Sequence, residues 1–105
     1  MKRLTDGFIA ALPQRVAHLM YLLDQRNLEE LRRAVHRLKG SGGGYGFPVV
    51  SERASAAEES LAAEQSMEKI AEQVQSLVSL LRSIEGYSPE REVLDESTPI
   101  NSVKR

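Results

Sequence analysis

The chain lacks cysteine and tryptophan altogether. Without cysteine it can form neither a disulfide framework nor a thiolate zinc site, and its two histidines alone make a poor ligand set for a metal ion. We therefore expect no metal site and no cofactor. Cysteine usage also says nothing about the compartment in which the protein works.

An excess of charge of one sign is missing as well. Fourteen basic residues stand against fifteen acidic ones, for a formal charge of -1. This balance offers no general attraction to nucleic acid or to an anionic membrane. No apolar run approaches the roughly 20 residues of a membrane span, and the N-terminus lacks a basic segment followed by an apolar one. We expect a cytoplasmic protein that binds neither nucleic acid nor membrane.

What is present points to helices. Hydrophobic residues make up 41% of the 105 residues and aromatic residues only 5%, in segments rich in Ala, Leu, Glu, Gln and Arg. The sequence predicts an all-α protein, an up-down-up-down antiparallel four-helix bundle with a short N-terminal helix and a flexible C-terminal tail. We expect a monomer. The alternative is a dimer in which helical hairpins from two chains share one core. The spacing of apolar residues does not distinguish a core formed by one chain from a core formed by two.

The first part of the chain predicts two helices separated by a proline. Residues 5–12 form the short N-terminal helix, because Pro13 disfavours α geometry at the residue before it. A longer helix then begins at Pro13 and ends near Asp24. Its buried stripe has spacings of three and four and consists of Leu12, Val16, Leu19 and Leu23.

Three more helices follow. Asn27 and Glu30 resemble a capping box at the start of the next helix, whose apolar stripe is Leu28, Leu31, Val35 and Leu38, with Gly42 and Tyr45 as further candidates. Pro48 lies in the first turn of a helix with the stripe Val50, Ala54, Ala57 and Leu61. Ser66 caps the last helix, whose stripe extends to Ile84. We assign residues 1–86 to the bundle and 87–105 to the tail.

The stretch HRLKGSGGGYG, residues 36–46, contains five of the seven glycines. At about 100° per residue, His36 lies roughly 120° from the centre of the apolar stripe, so it should face water. The same arithmetic places Glu29, Arg32, Arg33, Gly40 and Gly43 within about 60° of it. Lys39 lies about 60° away, on the side nearer the core.

Two interpretations of the glycines remain open. A glycine inside a helix costs about 1 kcal/mol relative to alanine, which favours a helix that unwinds and caps over residues 40–46. Alternatively the helix continues, and glycine clears space so that another protein can approach His36. A phosphate-binding loop is excluded, because neither glycine-rich nucleotide motif is present and no strand pattern precedes the glycines.

The stretch AVHRLKGSGGGYG resembles the signature of histidine-containing phosphotransfer (HPt) domains of two-component phosphorelays. That pattern has a lysine three positions after the histidine and glycines four and ten positions after it. Here these residues are His36, Lys39, Gly40 and Gly46. The order of the helices over about residues 5–86 is also similar to the family.

The resemblance implies a non-enzymatic phosphocarrier. His36 would take a phosphoryl group from a phosphoaspartate on one receiver domain and pass it to another, and a histidine kinase, alone or hybrid, would be a further partner. The catalytic aspartate and magnesium would belong to the receiver. A solvated imidazole is largely neutral at pH 7 and keeps a lone pair for attack. Lys39 is the candidate for neutralising the charge of the phosphate.

Partner contacts are expected around the histidine. Arg32, Arg33 and Arg37 are candidates for docking an acidic surface, with Gly40 and Gly43 as the bare part of the same face. Arginines on an exposed helix are as readily explained by solvation alone. The other histidine, His18, is expected on the surface without a chemical role.

Two other functions are compatible with a helical bundle. The first is a docking or inhibitory module with the same fold and no phosphotransfer. The second is the dimerisation segment of a histidine kinase, which typically has an acidic residue and then a proline after its histidine. Here Arg37 follows, and the next proline is Pro48. The initial Met and the tail favour a free-standing protein over a domain of a hybrid kinase.

Overall fold

The computed structural model describes residues 2–94, with side chains from residue 5 onward. Within this range there are four α-helices and no strand, so the all-α prediction is confirmed for these residues. The helices are α1 (Lys2–Asp24), α2 (Leu28–Gly44), α3 (Pro48–Ala62) and α4 (Met67–Arg82), followed by a short 3-10 helix at Pro89–Arg91. The part of the predicted tail at 95–105 lies outside the described residues.

The separate N-terminal helix predicted from Pro13 is wrong, because α1 runs through the proline without a break. Proline removes one helical hydrogen bond and costs about 3 kcal/mol. Apolar side chains on both sides of it are buried in the common core, among them Phe8, Leu12 and Val16. Full burial of each contributes about 1.5–3 kcal/mol, which offsets the cost of the proline. Packing on one face therefore holds the two halves of α1 in one helix.

The predicted caps are confirmed. The side chain of Asn27 accepts a hydrogen bond from the backbone N–H of Glu30 at the start of α2, over 3.4 Å. Ser66 Oγ accepts one from the N–H of Lys69 at the start of α4, over 3.1 Å. Pro48 is in the first turn of α3, where its missing N–H leaves no helical bond unmade.

The four helices enclose one core. Each helix packs against the next along the chain, and α1 also packs against α4. The loops between them are three or four residues long, which favours antiparallel neighbours. The alternation of helix directions and the monomeric state stay predictions. The fully buried large side chains include Leu12, Leu19, Leu31, Leu38, Ile70, Leu77 and Leu81.

Aromatic side chains close the bundle beyond the glycines of α2. The ring of Phe8 on α1 stacks on Tyr45, with centroids 4.9 Å apart, and on Phe47, with centroids 5.5 Å apart. Tyr45, a candidate for the apolar stripe of α2, thus packs at the end of the bundle, although it remains 39% exposed. The end of α2 is thereby fixed against α1.

The first part of the segment assigned to the tail is packed on the bundle. Glu92 accepts two hydrogen bonds from the guanidinium of Arg82, over 2.9 and 2.7 Å, and a third from the hydroxyl of Tyr87. The 3-10 helix at Pro89–Arg91 contacts α1. The segment assigned to the tail thus contacts the bundle over residues 87–92, and its flexibility stays a prediction.

Candidate functional site

The glycines after His36 are helical. Helix α2 continues to Gly44 and ends only where Gly46 adopts a positive φ of 87°. The N–H of Phe47 donates to the carbonyl of Gly42 over 2.8 Å and the N–H of Gly46 to that of Gly43 over 3.3 Å, which is a Schellman motif. The interpretation that the helix unwinds over residues 40–46 is wrong, and termination needs only Gly46.

Gly42 brings α2 close to α3. It is buried, and a Cβ at this position would lie 2.7 Å from Cγ1 of Val50. Small residues on the facing side of α3, Ala54 and Ala57, are fully buried as well. The two helices therefore approach closely along the histidine's helix, and a side chain of α3 can reach the functional face of α2.

His36 lies on the exposed side of α2, as the helical arithmetic predicts. Its side chain is 64% exposed. Lys39, one turn further along, is 37% exposed, consistent with its predicted position nearer the core. The imidazole is therefore open to a second protein, with a cation on the same face of the helix.

Glu58 of α3 joins these two side chains and was missed from the sequence. Its Oε2 lies 2.9 Å from Nδ1 of His36 and its Oε1 lies 3.0 Å from Nζ of Lys39. The Glu58 side chain is only 20% exposed. The available signal was its place in the helix: Glu58 is four residues after Ala54 and borders the stripe of alanines that packs on α2.

The carboxylate determines which nitrogen of His36 is free. The hydrogen bond from Lys39 lowers the pKa of Glu58 below its ordinary value; burial opposes this, and the hydrogen bond with His36 adds to the lowering. Glu58 is thus ionised at neutral pH and can only accept hydrogen bonds. In the neutral imidazole this contact favours the tautomer with the hydrogen on Nδ1, in which Nε2 keeps the lone pair for chemistry.

The three predicted arginines surround the histidine but differ in their pairing. With His36 and Glu58, Arg32, Arg33 and Arg37 line an open cleft of about 370 Å³. Arg33 forms ion pairs with Glu29 and Glu30 on its own helix, at 3.0 and 2.7 Å. Within residues 5–94, neither Arg32 nor Arg37 has a hydrogen bond or ion pair to a carboxylate. The structure therefore leaves two cations available beside the imidazole.

Gly40 and Gly43 form a bare surface next to these charges. Both are exposed helical positions. A Cβ at Gly40 would meet no atom within 4 Å, and one at Gly43 would meet only Ser51 Oγ, at 3.8 Å. Neither glycine is required by contacts inside the bundle. Their absent side chains leave the backbone of α2 accessible beside His36.

The second histidine is not part of this site. His18 lies on α1 and is half-buried, whereas the sequence favoured a surface position. Burial, followed by the charge of Arg37, lowers its pKa below the ordinary value.

Among the residues that the structure describes, no group of three or more potential metal ligands occurs. No helix in that part of the chain has the length and apolar character to cross a membrane.

A family model described as Hpt domain matches residues 3–87. The matched range holds α2, α3, α4 and all of α1 except Lys2, and with them His36, Lys39, the glycines of α2 and Glu58. None of the curated proteins matches the chain, and none of the solved structures does.

Proposed function

Because the chain belongs to the Hpt domain family, we propose that it accepts a phosphoryl group on His36 from a receiver-domain phosphoaspartate and donates it to another receiver. Hpt domains in general act in histidine phosphotransfer in phosphorelays, interact with receiver domains and histidine kinases, and are phosphocarriers and not catalysts. The finer assignments to residues of this chain rest on the geometry of the site.

The observation that carries the proposal is the state of the His36 imidazole. It is exposed, and its Nδ1 lies 2.9 Å from Oε2 of Glu58, a contact that favours the tautomer with the hydrogen on Nδ1 and the lone pair on Nε2. In the transfer step Nε2 forms a bond to phosphorus, the bond from phosphorus to the aspartate oxygen breaks, and the carboxylate leaves with the electron pair. The aspartate and the magnesium ion that assists it belong to the receiver.

Charge neutralisation and docking are proposed for the residues around the imidazole. Lys39, which shares the carboxylate of Glu58 with His36, would neutralise charge on the phosphoryl group, because transfer depends mainly on positioning and on neutralising charge. Arg32, Arg33 and Arg37 would attract an acidic partner surface, while Gly40 and Gly43 would let its backbone approach closely. Action as a cytoplasmic monomer stays a prediction.

The direct test uses a phosphorylated receiver as donor. Incubation should place on the chain a phosphate that is labile in acid and stable in alkali. His36→Gln should lose this label, whereas His18→Gln should keep it, because His18 lies outside the site. Full labelling of His36→Gln would contradict the proposal. Binding of the receiver without any transfer would favour the alternative of a docking or inhibitory module with this fold.

A further inference from the structure

We propose that Glu58 is the resting-state counterion of Lys39 and that a phosphoryl group on His36 competes with Glu58 for this ammonium. The negative charge of Glu58 then limits how long the phosphoryl group stays on the histidine. This inference rests on the proposed function, since it assigns a regulatory role to a residue beside the same nucleophile. Glu58 acts through Lys39 and His36 and is a positioning residue.

The geometry shows that Lys39 is already occupied. Its Nζ lies 3.0 Å from Oε1 of Glu58, while the other oxygen of the same carboxylate contacts Nδ1 of His36. Glu58 is the less exposed partner, at 20%, against 37% for Lys39. A lysine ammonium is a point charge on a flexible four-carbon stem, so it can leave one anion for another nearby.

Phosphorylation changes the charges that this group of residues must accommodate. Before it, the neutral imidazole, Lys39 and Glu58 sum to zero. A phosphoryl group on Nε2 carries about two negative charges, and the ring, which keeps its Nδ1 hydrogen, becomes positively charged, so that the net charge of the group falls by one. Lys39 cannot fully neutralise both anions, and opposite charges interact more strongly near a protein surface than in bulk water. While Lys39 stays paired with the carboxylate, the phosphoryl group lacks this cation, and the competition for Lys39 raises the free energy of the phosphorylated state.

The other charged groups near the imidazole do not remove this competition. Arg33 is paired with Glu29 and Glu30. Arg32 and Arg37 line the cleft on the histidine's own helix, whereas the only carboxylate lining that cleft is Glu58 from α3. Removal of the Glu58 charge should thus free Lys39 for the phosphoryl group without disturbing the arginines.

The bond that breaks is the same whether the acceptor is a receiver or water. In hydrolysis a water oxygen attacks phosphorus, the bond from phosphorus to Nε2 breaks, and its electron pair returns to Nε2. The Nδ1 hydrogen remains on the imidazole and inorganic phosphate leaves. The lifetime of phosphohistidine in buffer therefore reports the stability of the phosphorylated state without any partner protein.

The test phosphorylates the full chain with phosphoramidate, a small phosphoryl donor that releases ammonia as Nε2 forms its bond to phosphorus. All variants carry His18→Gln, which leaves His36 as the only imidazole in the chain. After removal of the reagent, 31P NMR follows the decay of phosphohistidine between pH 6 and pH 9. Circular dichroism verifies that each variant is folded.

Glu58→Gln keeps the size of the side chain and an oxygen that accepts from Nδ1–H, but it removes the charge. We expect the half-life of phosphohistidine to increase about threefold to tenfold, and tenfold corresponds to about 1.4 kcal/mol. The matched control is Glu59→Gln, which removes the same charge at an exposed neighbouring position and should leave the half-life unchanged. In a Lys39→Met background, Glu58→Gln should have less than about a twofold effect, because no ammonium remains to be released.

Three results of the lifetime measurement would overturn the inference. They are an unchanged or shorter half-life in Glu58→Gln, an equal increase in Glu59→Gln, and an effect of the same size with and without Lys39. A chain that phosphoramidate labels but a phosphorylated receiver does not would contradict the proposed relay function and leave the lifetimes to decide the role of Glu58. Failure of phosphoramidate to label His36 would overturn both the proposed relay function and the inference about Glu58.

Discussion

Gly42 of α2 and Val50 of α3 are in contact so close that no side chain fits between them. A Cβ on Gly42 would lie 2.7 Å from Cγ1 and 2.9 Å from Cβ of Val50, and 3.3 Å from the backbone nitrogen of Ser51. Val50 is 1% exposed, and none of these atoms is the end of a flexible side chain. The separation of α2 and α3, and with it the reach of Glu58 to His36, depends on this glycine.

We therefore expect Gly42→Ala to lower the free energy of unfolding by about 1–2 kcal/mol, because the strain of overpacking exceeds the gain in helix propensity. Gly40→Ala in the same helix is the matched control. Its new Cβ meets no atom within 4 Å, so it should raise the free energy of unfolding by up to about 1 kcal/mol. Urea denaturation measures both. A stabilising Gly42→Ala would contradict the close packing.

A larger side chain at Gly40 tests the bare surface beside His36. We expect Gly40→Gln to slow phosphotransfer from a receiver by about tenfold, because its side chain would occupy the approach to the imidazole, a loss of about 1.4 kcal/mol of transition-state stabilisation. The midpoint of urea denaturation should not fall, since the position has open space around it.

Gly7→Gln is the control for this substitution. Gly7 is also an exposed helical glycine with no atom near its missing Cβ, but it lies on α1. The rate of phosphotransfer to the Gly7→Gln variant should equal the rate of phosphotransfer to the unsubstituted chain. Equal rates for Gly40→Gln and Gly7→Gln would show that partners do not approach over Gly40.

The end of α3 offers a stabilising change. Glu64 has a positive φ of 54°, and the N–H of Gln65 donates to the carbonyl of Ser60, so a non-glycine residue occupies the left-handed position of a Schellman motif. This conformation costs an ordinary residue about 1–2 kcal/mol. Glu64→Gly should raise the free energy of unfolding by about 1 kcal/mol in urea denaturation. Glu64→Ala should give no such gain, and a gain of equal size would exclude the backbone explanation.

The contacts of Glu92 predict a dependence of stability on pH. The hydrogen bond from Arg82 lowers the pKa of Glu92 below its ordinary value of 4.5, against opposing burial, with a further lowering by Tyr87. The ion pair therefore stabilises the fold above pH 4.5, and this stabilisation is lost as the pH falls through the lower pKa of the folded state. Because Arg82 is 47% exposed, solvent limits the contribution to about 1 kcal/mol.

Glu92→Gln should accordingly lower the free energy of unfolding by about 1 kcal/mol at pH 7 and have little effect at pH 3. Urea denaturation at the two pH values measures the difference. Glu90→Gln, at an exposed position of the 3-10 helix that precedes Glu92, is the control and should change little at either pH. An equal loss at both pH values in Glu92→Gln would exclude the ion pair as its cause.

Much of the fold follows from local pattern. The apolar spacing of three and four, the caps at Asn27 and Ser66, and Pro48 at a first turn predict α2, α3 and α4 within a few residues. The direction of His36 follows in the same way, because the angle between two residues of one helix is a property of the helix alone. The histidine, lysine and glycine spacing also carries the family resemblance.

Three features required the tertiary structure. The continuity of α1 through Pro13 depends on core contacts on both sides of the proline, which outweigh a local preference. The packing of residues 87–92 depends on the contact of Arg82 with Glu92. Gly42 is buried against Val50, while Gly40 is open, although both are glycines of one helix. In each case the deciding contacts come from another segment of the chain.

The sequence by itself determined that a histidine and a lysine share the exposed face of a helix, since both positions follow from one helical repeat. Only the tertiary structure decided that Glu58 lies between them. Its position depends on how closely α3 packs on α2 and on the rotation of α3 about its axis, and neither distance nor rotation is encoded in the periodicity of a single helix. That one contact assigns the free nitrogen of His36 and the resting partner of Lys39.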